Sequence, residues 1–253
     1  MSLLGAVVSD PSSDVLRTLR TVCDTRGLED LGARLGRLSE LVRWDLKEIA
    51  AAIDAVPNSG SWVQQSGHHL LRQGGKRLRP MCVALAFRLA SEQDGPTVLT
   101  PAARALAVAV ELVHAATLLH DDVVDLGDQR RGAPAARLLF GNAASIFAGD
   151  WLLVGALKRV RSAEVDGTLE RLFDIIEEMI EAESIQLEHR NRVDLSVANY
   201  FKIVEGKTAA LFRWATWAGA RAGGLGAGRS DALEQYGLHL GVAFQLVDDL
   251  LDY

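Results

Sequence analysis

The chain has 253 residues, 49% of them apolar, and a formal net charge of -6. Length and apolar content suit one large domain with a sizeable core, and the negative balance argues against a nucleic-acid partner. The two cysteines, Cys23 and Cys82, have no metal-ligand spacing and read as ordinary thiols of a reducing compartment.

All six prolines lie at or before Pro134, and long stretches carry apolar residues three and four apart, so an all-α domain over 1–253 is expected. The spacing predicts helices near 12–24, 28–56, 61–73, 77–92, 101–126, 142–162, 168–190, 196–221 and 230–253. No alternating run is long enough for a convincing strand. The start, MSLLGAVVSD, lacks a signal-peptide pattern, and residues 1–40 read as a possible N-terminal extension. The most apolar stretch, Ala105 to Leu119, is interrupted by Glu111 and His114 and is shorter than the roughly 20 residues of a membrane span. A cytoplasmic protein without a transmembrane segment is expected.

The first chemical motif is Gly74 to Pro80, GGKRLRP. Glycines let backbone approach an anion, Lys76 and Arg79 aim charge at it, and Pro80 opens a helix whose N-terminal dipole favours negative charge. The neighbouring His68 and His69 read as solvent-facing or locally packed. Leu118 to Gly132 reads LLHDDVVDLGDQRRG. On a helix Asp121 and Asp125 share a face, with Asp122 beside them, and form a patch of hard oxygen donors suited to magnesium. Gly132 and Pro134 are expected to end the helix so that Arg130 and Arg131, planar forks suited to phosphate, turn back toward the metal-bound anion. An acidic run beside a basic run also suits a solvated helix end.

Repetition favours a site. Phe244 to Tyr253, FQLVDDLLDY, places Asp248, Asp249 and Asp252 at the same D-D-x-x-D spacing. Leu233, Tyr236, Leu240, Phe244, Val247 and Leu251 are expected to form the core stripe of that helix, with Gln245, Asp248 and Asp252 beside it. Between the two acidic motifs, Asp150 reads as a structurally paired carboxylate, and Glu183 and Gln186 of EAESIQ as weaker site candidates. Lys207 and Thr208 of GKTAAL put a charge and a hydroxyl into an apolar helix, and GARAGGLGAG, Gly219 to Gly228, reads as a loop between helices.

With these motifs the stretch from Gly67 to Tyr253 resembles the trans-type polyprenyl diphosphate synthases, most closely the medium- and long-chain members. The resemblance implies an isoprenoid-synthase-type helical bundle around a central cavity, usually a homodimer. It implies condensation of isopentenyl diphosphate with an allylic diphosphate, assisted by Mg2+ on Asp121, Asp125, Asp248 and Asp252. Asp122 and Asp249 complete the two acidic motifs. Lys76, Arg79, His114 and Arg131 match residues of the isopentenyl site, and Arg130 the one that holds the allylic diphosphate. Lys207, Thr208 and Gln245 match residues near the allylic diphosphate and the developing cation. The departing diphosphate is thought to remove the final proton, so no general base is assigned. Short-product members carry bulky aromatics four or five residues before the first aspartate; Ala116 and Thr117 stand there, with Val113 a turn further, so a product longer than twenty carbons is expected. Two departures stand out: Ala182 occupies a position the family usually gives to glycine, and family members continue past the second acidic motif whereas this sequence stops at Tyr253.

Four other readings are compatible with part of the pattern. A short-chain synthase, or a non-catalytic subunit of a heteromeric synthase, fits the same motifs. His120-Asp121 resembles the start of an HD-type phosphohydrolase site, without its other metal histidines. Class I terpene cyclases share the helical fold but lack GKRLRP and RRG.

Overall fold

The structure is a computed structural model and describes residues 14–91, 98–190, 192 and 194–251. Its frame is helical: α1 (Asp14–Thr25), α2 (Glu29–Asp54), α3 (Trp62–Arg72), α4 (Leu78–Ala90), α5 (Pro101–Val124), α6 (Ala136–Phe140), α7 (Asn142–Ala163), α8 (Thr168–Glu188), α9 (Val197–Ile203), α10 (Ala210–Ala222) and α11 (Ala227–Leu251). Helix α5 is the axle. Thr100 caps its start by accepting a hydrogen bond from the Ala103 N–H at 3.1 Å, and Pro101 supplies the fixed φ of a first turn. Leu106, Ala107, Val108, Ala109, Val110 and Leu112 are all buried, so the helix is enclosed all round rather than along one stripe. It packs against α2, α3, α4, α7, α8-facing α10 and α6. By length and composition α5 would also suffice to cross a membrane, and its apolar surface is accounted for by these neighbours.

Nine expected helices are found within a few residues, with four differences of substance. First, α5 ends at Val124, close to the expected 126, through a left-handed turn and not through Gly132 and Pro134. Leu126 takes a left-handed φ of 54°, the Gly127 N–H bonds the Asp122 carbonyl, and Arg137 holds the Leu126 and Gly127 carbonyls at 2.6 and 2.7 Å. Second, a two-residue hairpin follows, β1 (Gln129–Arg130) pairing antiparallel with β2 (Ala133–Pro134). Its corner is Arg131 (φ 53°) and Gly132 (φ 78°), the pair of positive φ angles that such tight turns demand. Third, the helix expected over 196–221 is three segments, because Val204–Ala209 winds as a π-helix between α9 and α10. Fourth, the loop expected over Gly219 to Gly228 shrinks to the four residues between α10 and α11.

The core stripe expected on α11 is also displaced. Tyr236, Val247 and Leu251 are exposed, while Ser230, Glu234, Gly237 and Gly241 are buried against α10. Glycine permits a close approach there: a Cβ on Gly237 would lie 2.6 Å from the Phe212 carbonyl oxygen, and one on Gly241 2.5 Å from the Ala209 Cα. Glu234, sealed in this contact, is paired by Arg171 and Arg213. Residues 14–40 of the expected extension fold as α1 and the start of α2. Helix α2 is tied to α4 by a charge pair in which Arg88 donates to buried Asp45 at 2.5 and 3.0 Å. Cys23 and Cys82 are buried and unbridged, and burial pushes the Cys82 thiol up to about 12.

Because backbone on the α10 side cannot yield cheaply, Gly237→Ala is expected to lower unfolding stability by about 2 to 3 kcal/mol, the cost of overpacking a close helix contact. The denaturant midpoint reads this directly; an unchanged midpoint would contradict so tight an α10–α11 contact.

Candidate active site

A cavity of about 990 Å³ opens beside the lower half of α5, at the upper end of the range for small-molecule sites. Its wall gathers Lys76, Arg79, Val113, His114, Ala116, Thr117, Asp121, Asp125, Arg130, Arg131, Lys207, Thr208, Gln245 and Asp248. Fourteen residues singled out in separate motifs thus meet on one surface. Leu153 of α7 and Ile176, Met179 and Ile180 of α8 extend the wall with apolar side chains.

Helical geometry explains which acids arrive. Asp121 and Asp125 are one turn apart and both line the cavity, but Asp122 is about 100° further round α5. Asp122 is therefore placed differently from the expectation: it is buried, 1% exposed, lies off the cavity wall, and accepts from Arg130 Nε and Nη2 at 2.9 and 2.6 Å. It fixes the arginine instead of facing the cavity. Asp249 is likewise turned off the wall, where Gln245 Nε2 donates to it at 2.7 Å and the Tyr200 hydroxyl at 2.5 Å. Gln245 in turn accepts from the Thr208 hydroxyl at 2.7 Å, so Thr208, Gln245, Asp249 and Tyr200 form one chain of hydrogen bonds. That chain pushes the Tyr200 hydroxyl up to about 12, because its proton is held by the carboxylate. Asp252 lies outside the described residues.

The π-helical turn is what aims Lys207. Its Gly206 sits where a Cβ would meet Ala182 of α8 at 2.6 Å, so α8 and the turn touch, and the next side chain reaches Glu183 at 2.7 Å and Gln186 at 3.2 Å. Asp121 lies 3.8 Å from the same ammonium. Burial nevertheless pushes the Asp121 carboxyl up to about 6; Lys207 pulls it down, while Glu183 and Asp125 push it further up. Arg190 donates to Asp125 at 2.5 Å from the end of α8, a contact with no warning in the motifs.

The opposite wall is cationic. Arg131 projects over the Gly74–Gly75 turn, where its guanidinium would clash at 2.9 Å with any Cβ on Gly75, and it donates to the Gly74 carbonyl. Glu111, one turn before His114, is 4.0 Å from Arg131 and also lines the cavity. It was legible as the single acid in the most apolar stretch, Ala105 to Leu119, yet nothing in the motifs assigned it a role. Burial lowers Arg79 to about 10, partly offset by Glu111. Burial, then Arg79, Arg131 and Arg130, holds the His114 imidazole well below its ordinary range, so it is neutral. His120 lines the cavity and faces Asp150 at 3.3 Å; Asp150 is exposed, not enclosed as expected for its apolar helix. His68 stacks near Trp151 and His69 bonds the Pro134 carbonyl at 2.9 Å, so both pack locally.

The donor set suits a hard divalent cation. Asp121 and Asp125 on one wall and Asp248 on another offer carboxylate oxygens, and Glu183 Oε1 is buried with no partner among the described residues. No three acidic, histidine or cysteine side chains among the described residues already converge into a metal cage. That arrangement fits an ion completed by phosphate oxygens and water rather than one enclosed by protein.

Fold and site together define an all-helical bundle around a cavity with one carboxylate wall and one cationic wall. The Polyprenyl synthetase family model matches residues 60–253, and the chain belongs to that family. It is 37% identical over 220 residues to the octaprenyl diphosphate synthase of Escherichia coli K12, covering 87% of this chain and 66% of that one. A polyprenyl synthase from Caulobacter crescentus CB15, solved with calcium and isoprenyl diphosphate, superposes with a TM-score of 0.79 at 40% identity, over 86% of this chain and 65% of that one. A decaprenyl diphosphate synthase from Rhodobacter capsulatus gives 0.77 at 38%, over 86% and 66%. The chain thus spans just under two thirds of the length of these relatives.

The Asp121 carboxyl supplies a pH test. An unfolded chain ionises it near 3.8 and the folded one near 6, so its contribution to stability is present below 3.8 and lost as pH rises to about 6. Followed by carboxyl NMR without metal, Asp121 is expected to titrate near 6, and higher in Lys207→Met, which removes the cation that pulls it down. A midpoint near 4 in both proteins would contradict the burial and the Lys207 contact.

Proposed function

We propose that this chain condenses isopentenyl diphosphate with an allylic diphosphate and extends a trans-polyprenyl diphosphate past twenty carbons. The observation that carries this reading is the single cavity that joins both charged walls to an apolar extension. Along α5 the wall runs from Asp121 to Val113, about 12 Å of helix, and between the lining His114, Leu118 and His120 it carries only small side chains, at Val113, Ala116 and Thr117. The named relatives make long products or bind a divalent cation with isoprenyl diphosphate, which supports the same reading.

In this proposal Asp121, Asp125 and Asp248, with Asp252 beyond the described residues, hold Mg2+ against the allylic diphosphate. Bound there, Mg2+ supplies Lewis-acid stabilisation of the charge that gathers on the departing oxygen. Arg130, fixed by Asp122, and Lys207, fixed by Glu183 and Gln186, add charge stabilisation from positions set before substrate arrives. Thr208 and Gln245, hydrogen-bonded to each other and, through Gln245, to Asp249, line the cavity and would offer oxygen lone pairs to the allylic carbon as it becomes cationic. Lys76, Arg79 and Arg131 hold isopentenyl diphosphate beside it. Neutral His114 adds a hydrogen-bonding nitrogen without a further charge. Proximity of the two carbons is then the main acceleration. Exposed Leu138 and Leu139 of α6 and Phe147 and Val154 of α7 offer apolar surface that the proposed homodimer would cover.

Incubated with magnesium, labelled isopentenyl diphosphate and farnesyl diphosphate, the protein is expected to give a product ladder longer than twenty carbons. Ala116→Phe is expected to close the apolar extension and shift the ladder to shorter products with at most a few-fold loss of total turnover. An unchanged ladder in the variant would contradict the path along α5, and no condensation by the folded parent would contradict the proposed reaction.

A further inference from the structure

Arg77 takes no part in the contacts above, and its setting is costly on two counts. It precedes α4 as the capping residue with φ 47° and ψ 37°, a left-handed conformation that glycine adopts freely and arginine does not. The residue is only 7% exposed, and its Nε and Nη1 are buried without a hydrogen-bond partner among the described residues. Burying unpaired donors of a permanent charge is unfavourable unless something else completes them. Local structure offers no reason for the arrangement, since the side chain makes no cap hydrogen bond to α4.

The cavity offers one. Arg77 lines it together with Lys76, Arg79 and Arg131, and its charge weighs on Arg131. Arg79 Nε is also buried without a hydrogen-bond partner among the described residues. Against these four cations the cavity wall sets Glu111 alone on this side, 4.0 Å from Arg131. Helix α4 adds the positive end of its dipole, and its Pro80 has no N–H to offer. An excess of fixed positive charge, with planar guanidinium donors left unpaired, calls for a multiply charged oxyanion.

We propose that Arg77 is a direct ligand of the diphosphate of the homoallylic substrate, completing with Lys76, Arg79 and Arg131 a pocket that binds this anion without metal. The inference rests on the proposed prenyl transfer and adds a residue to the half of the site that does not ionise. Strain at position 77 is then the consequence of turning a guanidinium inward at the one point where α4 begins.

Calorimetric titration with isopentenyl diphosphate in the presence of a chelator tests it. Arg77→Gly removes the guanidinium and suits the left-handed backbone, so its melting temperature is expected to equal or exceed the parent's while affinity falls at least tenfold. Arg77→Lys, which keeps charge but not the fork, is expected to lose severalfold. Farnesyl diphosphate binding with Mg2+ is expected to change less than threefold in either. If Arg77→Gly binds isopentenyl diphosphate like the parent while Arg79→Gln does not, Arg77 is structural and the proposal fails with the reaction untouched. If Arg77→Gly does not fold, unchanged affinity in Arg77→Lys overturns the proposal in its place. A folded parent that binds no isopentenyl diphosphate overturns the reading of the whole site.

Discussion

Opposite charges held in one cavity, close enough to act on a shared ligand and kept from neutralising each other, are the constraint on which the rest of this structure depends. Each wall spends some of its charge on internal pairing: Arg130 on Asp122, Lys207 on Glu183, Arg131 on Glu111. Those pairs fix geometry. The carboxylates that still face the cavity are Asp121, 3.8 Å from Lys207, Asp125, held by Arg190, and Asp248, and the cationic wall adds Lys76, Arg77 and Arg79. Removing ions from water costs several kcal/mol each, and the raised Asp121 carboxyl and lowered Arg79 guanidinium register that cost on both walls. In the proposed reaction a diphosphate with its cations would satisfy both walls together, which neither wall can do for the other.

The fold serves that separation. Helix α5 runs through the core, so its carboxylate turn has no freedom to drift toward the cations. The hairpin corner at Arg131 and Gly132 presents two arginines from a pair of strands only two residues long, and Arg137 ties that corner to the end of α5. On the far side, glycines on α11 and in the π-helical turn let backbones approach until Lys207 and Gln245 are set by their neighbours. Rigid supports of this kind are what electrostatic preorganisation requires.

Where helical period alone decides placement, the sequence was readable. Asp121 with Asp125, His114 seven and eleven residues before them, and the small side chains at Val113, Ala116 and Thr117 share a wall because steps of three and four return to one face. Period also argues against grouping Asp122 and Asp249 with them, a consequence that the D-D-x-x-D pattern conceals. Less readable were features that depend on contacts made elsewhere. An Arg-Gly corner is not one of the common hairpin pairs, so the turn at 131–132 gave no signal. A π-helical turn has no strong composition of its own, and the buried face of α11 is written in glycines rather than in leucines. Arg190 reaches Asp125 across 65 residues of sequence, which no local pattern encodes.

The most direct measurement is an anomalous difference map at the manganese edge, from crystals grown with manganese and the sulfur-bridged analogue of farnesyl diphosphate, which cannot ionise readily. Manganese is expected between the analogue's diphosphate and Asp121, Asp125 and Asp248, with none at Asp122 and with Arg130 still paired to it. A diphosphate seated in the cavity without manganese against Asp121 and Asp125, or manganese ligated by Asp122, would contradict the division of the cavity into two walls joined by their ligand.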